Sequence, residues 1–511
     1  MLGEIFPACI DLGLLNGIDG FTFLDNPSYI YSTNYLVSGI GDVNNDGYGD
    51  VIIGACSQGN GIGKSYVIFG SEGNFPIELD SINLNGANGF VLNGINMGDA
   101  SGCSVAGAGD VNADGIVDII IGAPYANNQA GQSYVILGSK IGFPAQFNLS
   151  SLNGQNGFII NGIYGSSGES NGDNSGWSVS GVGDVNYDGV VDVIIGAPNA
   201  SPYANYQAGQ SYIIFGNKNG FSPVMNLTSI NGTNGFTVNG IGTTSFDYGN
   251  SGYSVNSAGD INNDGIGDII IGAPNALHLT GQSYIIFGNK NGFNPIMNLT
   301  SLNGINGFSI NGIRGTSVGR GSGVSVSGTG DVSGDSIDDI IIGSWDSGSG
   351  NALLFGSYIV FGSNKGFNSA LELSSLNGSN GFIAYSWPYS GQSVSGAGDV
   401  NGDGNADFIV GAQSYNGVGK SYVVFNAASV TPLPSPSPSP APAPKNYELS
   451  SGEIAWIVIG SVAGVLAVAG GLLHWYGKAH GWFPDRPLPP IPRAPERDPL
   501  MDALDKLMSG R

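Results

Sequence analysis

The sequence predicts an all-β fold, a propeller whose blades come from one unit repeated six times. Three observations carry this. An acidic nine-residue loop recurs with its first aspartate at Asp42, Asp110, Asp184, Asp260, Asp331 and Asp399, at spacings of 68, 74, 76, 71 and 68 residues. Each copy follows a small-residue "SVSGAGD"-like run and precedes a "DIIIGAP"-like and then a "GQSYVIFG"-like run. The chain also holds 87 glycines in 511 residues with abundant Asn and Ser, a composition that joins short strands through many turns instead of building long helices.

Within a unit the elements come in a fixed order. An "LNGxNGF" lead-in opens it, and the small residues of "SVSGAGD" suit an innermost strand, where blades crowd the central axis. The two runs after the loop have the length and the β-branched or aromatic content of buried strands, and Gly-rich turns bound both. Four strands in a period of about 40 to 50 residues are the signature of a propeller blade. The unit here is longer because of an "NKNGFSPVMNLTS"-type spacer. The repeats begin on "GFTF" (Gly20 to Phe23) and end on "SYVVF" (Ser421 to Phe425). Six blades close into a ring if the opening strand completes the last blade; seven blades are the alternative if the chain is a fragment.

The loops read "DVNNDGYGD", "DVNADGIVD", "DVNYDGVVD", "DINNDGIGD", "DVSGDSIDD" and "DVNGDGNAD". Positions 1, 3, 5 and 9 supply a side-chain oxygen in every copy, and a backbone carbonyl at position 7 adds another. This is the donor set of a hard cation that takes six to eight oxygens, so up to six Ca2+ ions are expected. The ligands are then Asp42, Asn44, Asp46, Tyr48 and Asp50 in the first loop, and Asp110, Asn112, Asp114, Ile116 and Asp118 in the second. The third and fourth contribute Asp184, Asn186, Asp188, Val190 and Asp192, and Asp260, Asn262, Asp264, Ile266 and Asp268. The last two contribute Asp331, Ser333, Asp335, Ile337 and Asp339, and Asp399, Asn401, Asp403, Asn405 and Asp407.

An EF-hand begins the same way but needs a bidentate Glu at position 12 and flanking helices. Position 12 here is Ile53, Ile121, Ile195, Ile271, Ile342 and Val410, so that option is excluded. A polar hairpin turn explains Asn and Gly near a bend, but not carboxylates at positions 1, 5 and 9 of six copies. The fifth loop is the weak member. Ser336 replaces the turn glycine, and Ser333 is a poorer ligand than Asn.

These units resemble FG-GAP repeats, the blades of the integrin α-subunit propeller. Gly-Ala-Pro stands at Gly122 to Pro124, Gly196 to Pro198 and Gly272 to Pro274, while the Phe-Gly half is Ser-Gly at Ser101-Gly102, Ser175-Gly176 and Ser251-Gly252. The resemblance covers about residues 12 to 426. It implies calcium held in β-hairpin loops, ligand contacts on the opposite face of the propeller, and a role in cell adhesion or ligand binding.

The remaining chain divides by composition. Residues 1–427 are the propeller; 428–453 form a Pro/Ser/Ala-rich stalk, with proline at every second position from Pro432 to Pro444. Residues 454–476 read as a transmembrane helix, opening with "IAWIVIGSVAGVLAVAGGLL", twenty uncharged residues matched to a bilayer. Glu448 and Glu453 precede it while Lys478 and Arg486 follow, which predicts a single-pass membrane protein with the propeller outside and the Pro-rich tail, 477–511, in the cytoplasm. The N-terminal "MLGEIFPACIDLG" lacks the features of a secretory signal, so the true start lies upstream or the helix inserts unaided. In the tail, Arg486, Pro489 and Pro492 have the spacing of an SH3 ligand, with a juxtamembrane spacer as the plainer reading. "GWFPDR" is only faintly similar to the integrin α membrane-proximal signature; Pro484 and Asp485 interrupt it, so the resemblance does not extend to a clasp with a β subunit.

Charge and composition narrow the function classes. The formal charge of −24 is mostly local, because the six loops hold 19 of the 39 acidic residues, and six Ca2+ ions would halve it. Residues 1–453 carry nine Lys and Arg against 34 Asp and Glu, which excludes a nucleic-acid partner. Cys9, Cys56 and Cys103 are too few and too irregular for a disulfide framework or zinc spacing. His278 is the single histidine before the apolar span, and "GTSVG" at 315–319 lacks the strand-to-helix setting of a nucleophile elbow. The expectation is a non-catalytic, membrane-anchored propeller that binds an extracellular protein or glycan. The alternatives are an accessory propeller of a phospholipase-like hydrolase and a host-interaction surface protein.

Overall fold

A computed structural model of the chain describes residues 21–24, 35–73, 75–164, 172–202, 207–242, 248–313, 320–345, 356–384, 390–412 and 420–425. The six units form the six blades of an all-β propeller. Their inner strands are Tyr35–Gly41, Ser104–Gly109, Ser178–Gly183, Ser254–Gly259, Arg320–Gly330 and Ser390–Gly398. Each packs against the inner strand of the next blade in chain order.

Blade 3 shows the plan. Ser178–Gly183 pairs antiparallel with Asp192–Ala197, that strand with Gln210–Ile214, and that one with Gly235–Asn239. The fourth strand, Gly235–Asn239, is the "NGF" lead-in of the next unit, so each lead-in completes the blade before it. A three-residue strand, Ile296–Asn298, then adds in parallel to the outer edge. It comes from the spacer of blade 4. The spacer has a second anchor, because its phenylalanine stacks on the lead-in phenylalanine of the preceding blade. The ring centroids of Phe90 and Phe143, Phe158 and Phe221, Phe236 and Phe293, and Phe308 and Phe367 lie 4.1 to 4.3 Å apart, nearly parallel. The extra length of the unit is thus a strap between neighbouring blades.

The core lies between blades. The second strands are apolar on both faces, as the run "DIIIGA" requires, and Tyr134, Tyr212, Tyr284 and Tyr358 of the third strands are fully buried among them. Close approach explains the Gly of Gly-Ala-Pro. A Cβ on Gly122, Gly196 or Gly272 would collide with the carbonyl oxygen of Gly176, Gly252 or Gly323, the glycine of the Ser-Gly pair in the following blade.

The opening strand has half of the role expected of it. Thr22–Leu24 pairs in parallel with Glu78–Asp80, and Phe21 stacks on Phe75 with centroids 4.6 Å apart, as a fourth strand should. Among the described strands, however, Thr22–Leu24 makes no pairing with Lys420–Val424, the third strand of blade 6. Two apolar faces are left open. Val37 of blade 1 is 72% exposed where its counterpart Val105 is 8%, and Val423 of blade 6 is 45% exposed where Val135 is 0%. Among the described residues no helix is long and apolar enough to cross a membrane. The expected span 454–476, the stalk, the tail residues Arg486, Pro489 and Pro492, and the "GTSVG" at 315–319 lie outside the described residues.

Candidate metal-binding loops

All six acidic loops join an inner strand to a second strand, so the repeat places them at one end of the blades. Each begins at a bulge. In blade 3 the register shifts between Gly181 and Gly183, the bulged Val182 is fully buried, and Gly183 takes φ +74. The five other inner strands shift at the corresponding place, and the six glycines span φ +67 to +75. A left-handed glycine turns the strand end outward and aims the next residue, the Asp at position 1, into the loop.

In the first loop both carboxylate oxygens of Asp42 accept backbone N–H groups, from Asp46 at 3.0 Å and Gly47 at 2.8 Å. Asn44 Oδ1 accepts from the same Asp46 N–H at 3.0 Å, and its amide donates to Asp46 at 2.8 Å. Asp46 also accepts from Tyr48 N–H at 2.9 Å. Positions 1, 3 and 5 are therefore gathered on one side of the loop, as the spacing predicts. The second, third, fourth and sixth loops repeat this network bond for bond. At position 7 the hydrocarbon side chains of Ile116, Val190, Ile266 and Ile337 are buried and carry no oxygen, so the backbone carbonyl is the oxygen available there.

Position 9 does something the sequence did not disclose. Asp50 accepts from Val43 N–H at 2.9 Å with one oxygen and from Gly70 N–H at 2.8 Å with the other, tying the loop base to the end of the third strand. Asp118, Asp192, Asp268 and Asp339 do the same. These carboxyls are almost completely buried. Burial pushes them up from the usual carboxylate range, to about 6 for Asp50, about 7 for Asp118 and Asp339, and about 8 for Asp192 and Asp268. The two N–H donors oppose the shift, while the neighbouring carboxylates at positions 5 and 1 add to it.

Position 4 was also missed. Asn45, Ala113, Tyr187, Asn263, Gly334 and Gly402 all have positive φ, between +57 and +79. The signal was present as Asn or Gly in four copies, obscured by Ala113 and Tyr187. At position 6 the expectation holds: five glycines sit at φ +85 to +95 and Ser336 at +68. The fifth loop differs in its bonds as well. Ser333 Oγ donates to Asp331 at 3.3 Å, and the Asn-type bridge to position 5 is missing because Ser has a short hydroxyl in place of the amide that donates there in the other loops.

The donor chemistry fits a hard cation. Five of the loops share one geometry, with one buried carboxylate at position 9 and two less buried carboxylates close by at positions 1 and 5. Among the described residues no three His, Cys, Asp or Glu side chains converge on a single point, so an ion would draw on the Asn and backbone oxygens together with positions 1 and 5. Asp42, Asn44, Asp46 and the Tyr48 carbonyl, with their equivalents, would hold it. Position 9 would anchor the base, and in the first four loops each of its oxygens accepts one N–H bond, from the loop base or from the end of the third strand.

Comparison with known proteins agrees with the repeat reading. Four segments, 104–136, 175–214, 251–286 and 390–424, match the FG-GAP repeat. The chain is 30% identical over 258 residues to integrin alpha pat-2 of Caenorhabditis elegans, covering 50% of this chain and 19% of that protein. It is 28% identical over 194 residues to phosphatidylinositol-glycan-specific phospholipase D of Bos taurus, covering 35% of this chain and 21% of that one. The chain thus spans about a fifth of the length of these relatives. A fucose-specific lectin from Aleuria aurantia aligns with 78% of the chain at 11% identity, with a TM-score of 0.35.

Proposed function

We propose that this chain, which carries FG-GAP repeats and resembles integrin α subunits, is a membrane-anchored, calcium-stabilised propeller that binds a protein or glycan ligand outside the cell without catalysis. The observation that carries the reading is the recurrence of one acidic loop pattern in six blades, five of them with the same bond network, at one end of the blades. A bound Ca2+ supplies positive charge where Asp42 and Asp46, and their equivalents, meet. The chain's own residues do the rest. The position 9 carboxylate fastens the first five loops to the third strand, and the left-handed glycine before position 1 fixes the direction of each loop. Ions at these places rigidify the blade ends, and the opposite end, formed by the Gly-Ala-Pro segments and the Ser-Gly crossings, is left for the ligand.

The similarity to a phosphatidylinositol-glycan-specific phospholipase D supports a second reading, a propeller that accompanies a hydrolase. The single histidine before residue 454 favours binding over catalysis. The test displays the full chain on cells and measures attachment to panels of extracellular matrix proteins and glycans, with calcium or with a chelator. The proposal expects attachment that calcium supports and that Asp42→Ala with Asp184→Ala weakens. Attachment to no ligand, together with calcium-dependent hydrolysis of a phospholipid or glycan by the purified chain, overturns it.

A further inference from the structure

Cys56 and Cys103, far apart in sequence, meet at the junction of blades 1 and 2, where each thiol is the other's side-chain neighbour. The positions are set by the repeat. Cys56 follows Gly54-Ala55 as Pro124, Pro198 and Pro274 follow their Gly-Ala pairs. Cys103 follows Ser101-Gly102 as Trp177, Tyr253 and Val324 follow theirs. The isolated bridges Gly63 to Ser101, Gly131 to Ser175, Gly209 to Ser251 and Gly281 to Ser322 show that the four junctions share one geometry. Both members of the pair are cysteine at one junction and at no other.

The same junction lacks a side-chain bond that the next two have, as does the junction between blades 4 and 5, where Gly321 stands in that place. Asn174 donates through its amide to the carbonyl of Pro124 at 3.0 Å, and Asn250 to that of Pro198 at 2.8 Å, each tying one blade to the next. The equivalent residue between blades 1 and 2 is Ala100, which takes the same left-handed backbone, φ +55, but has no donor. A Cβ built on Gly102 would come within 3.3 Å of the Ala55 nitrogen, so the two backbones already lie against each other beside the cysteines. Cys103 is partly exposed, which admits a small reagent, while Cys56 is buried at 9% exposure.

We infer that Cys56 and Cys103 form a reversible disulfide that staples blade 1 to blade 2 in place of the missing Asn bond. The oxidant is a small-molecule disulfide such as oxidised glutathione. One protein thiolate attacks it and expels the first small thiolate; the second protein sulfur, losing its proton, then displaces the other from the mixed disulfide. Two protein thiols are oxidised, the two electrons reside in two released small thiols, and the two protons balance them. The pairing draws Cys56 below the usual thiol range and, with burial, pushes Cys103 above it, which favours a single thiolate at the junction.

The test equilibrates the full chain in glutathione buffers from reducing to oxidising, traps free thiols by alkylation, and maps peptides by mass spectrometry. The expected product is a Cys56–Cys103 cross-linked peptide that dithiothreitol removes, with Cys9 alkylated throughout. Closing a loop of this length should lower the unfolding equilibrium constant by on the order of a thousandfold in the oxidised chain. The gain should vanish in Cys103→Val, which borrows the residue of the junction between blades 4 and 5. Cys56 and Cys103 both alkylated in the most oxidising buffer, or either one joined to Cys9, overturns the inference.

Discussion

The fifth loop offers a direct trial of the backbone argument, through Ser336→Gly. Ser336 holds φ +68, where the other five loops place glycine at +85 to +95. An L-residue in this region is disfavoured by about 1–2 kcal/mol. Glycine removes that strain but adds roughly 0.5–1 kcal/mol of chain entropy to the unfolded state. The net gain should be about 0.5–1 kcal/mol. Ser336 is exposed and its N–H bond to Asp331 is a backbone bond, so no packing or side-chain contact is lost. The assay is urea unfolding in the presence of a chelator, which removes any metal contribution, followed by the same titration in calcium. The reverse change, Gly265→Ser in the fourth loop, is the control. Nothing lies within 4 Å of a Cβ there, so strain is the only cost, and a loss of similar size is expected. An unchanged midpoint in both variants would refute the reasoning.

Three other outcomes follow from the same structure. In chelator, stability should fall as pH rises from about 4 to 8. The position 9 carboxyls of the first five loops lie above their unfolded value, so the unfolded chain releases its protons first and the folded one gives way as they ionise; acid and base melts should show the slope, and calcium should reverse it. Phe293→Ala, which removes the ring stacked 4.1 Å from Phe236, should cost about 2 kcal/mol by denaturant unfolding, while Phe293→Leu should recover part of that. The open faces at Val37 and Val423 should meet in solution, with the opening strand beside Lys420–Val424. Hydrogen exchange in the monomer should then protect Ser421–Val424 as well as Gln210–Ile214; rapid exchange there would mean the ring stays open.

Much of this architecture was legible in the sequence because it is repeated. The register of six loops against six strands exposed the blades, and Ile at position 12 separated the loops from helix-flanked calcium sites. What escaped involves partners about 20 to 60 residues apart. The lead-in Gly235–Asn239 looks like the start of a unit, yet its hydrogen bonds run back to Gln210–Ile214 of the previous one. The strand Ile296–Asn298 has three residues, too few for any periodicity to show, and only its parallel pairing with Thr237–Asn239 defines it. The cysteine pair escaped for the opposite reason. Reasoning from spacing treats cysteines as a framework, while here the repeat itself brings two of them to one junction. The role of the position 9 carboxylate as a clamp on Gly70 or its equivalent depended on burial, which a single loop sequence does not reveal.

The central claim is that these loops hold calcium and that the propeller depends on it. Sites of the affinity usual for extracellular modules, about 0.1–1 mM, would each add about 0.4–1.4 kcal/mol at 1 mM calcium. The most direct measurement is calorimetric melting of the full chain in 1 mM calcium and in excess chelator, with bound ions counted by titration. The account predicts up to six ions, a higher melting temperature with calcium, and the fifth loop filling last. An unchanged melting temperature with no bound ion would contradict it.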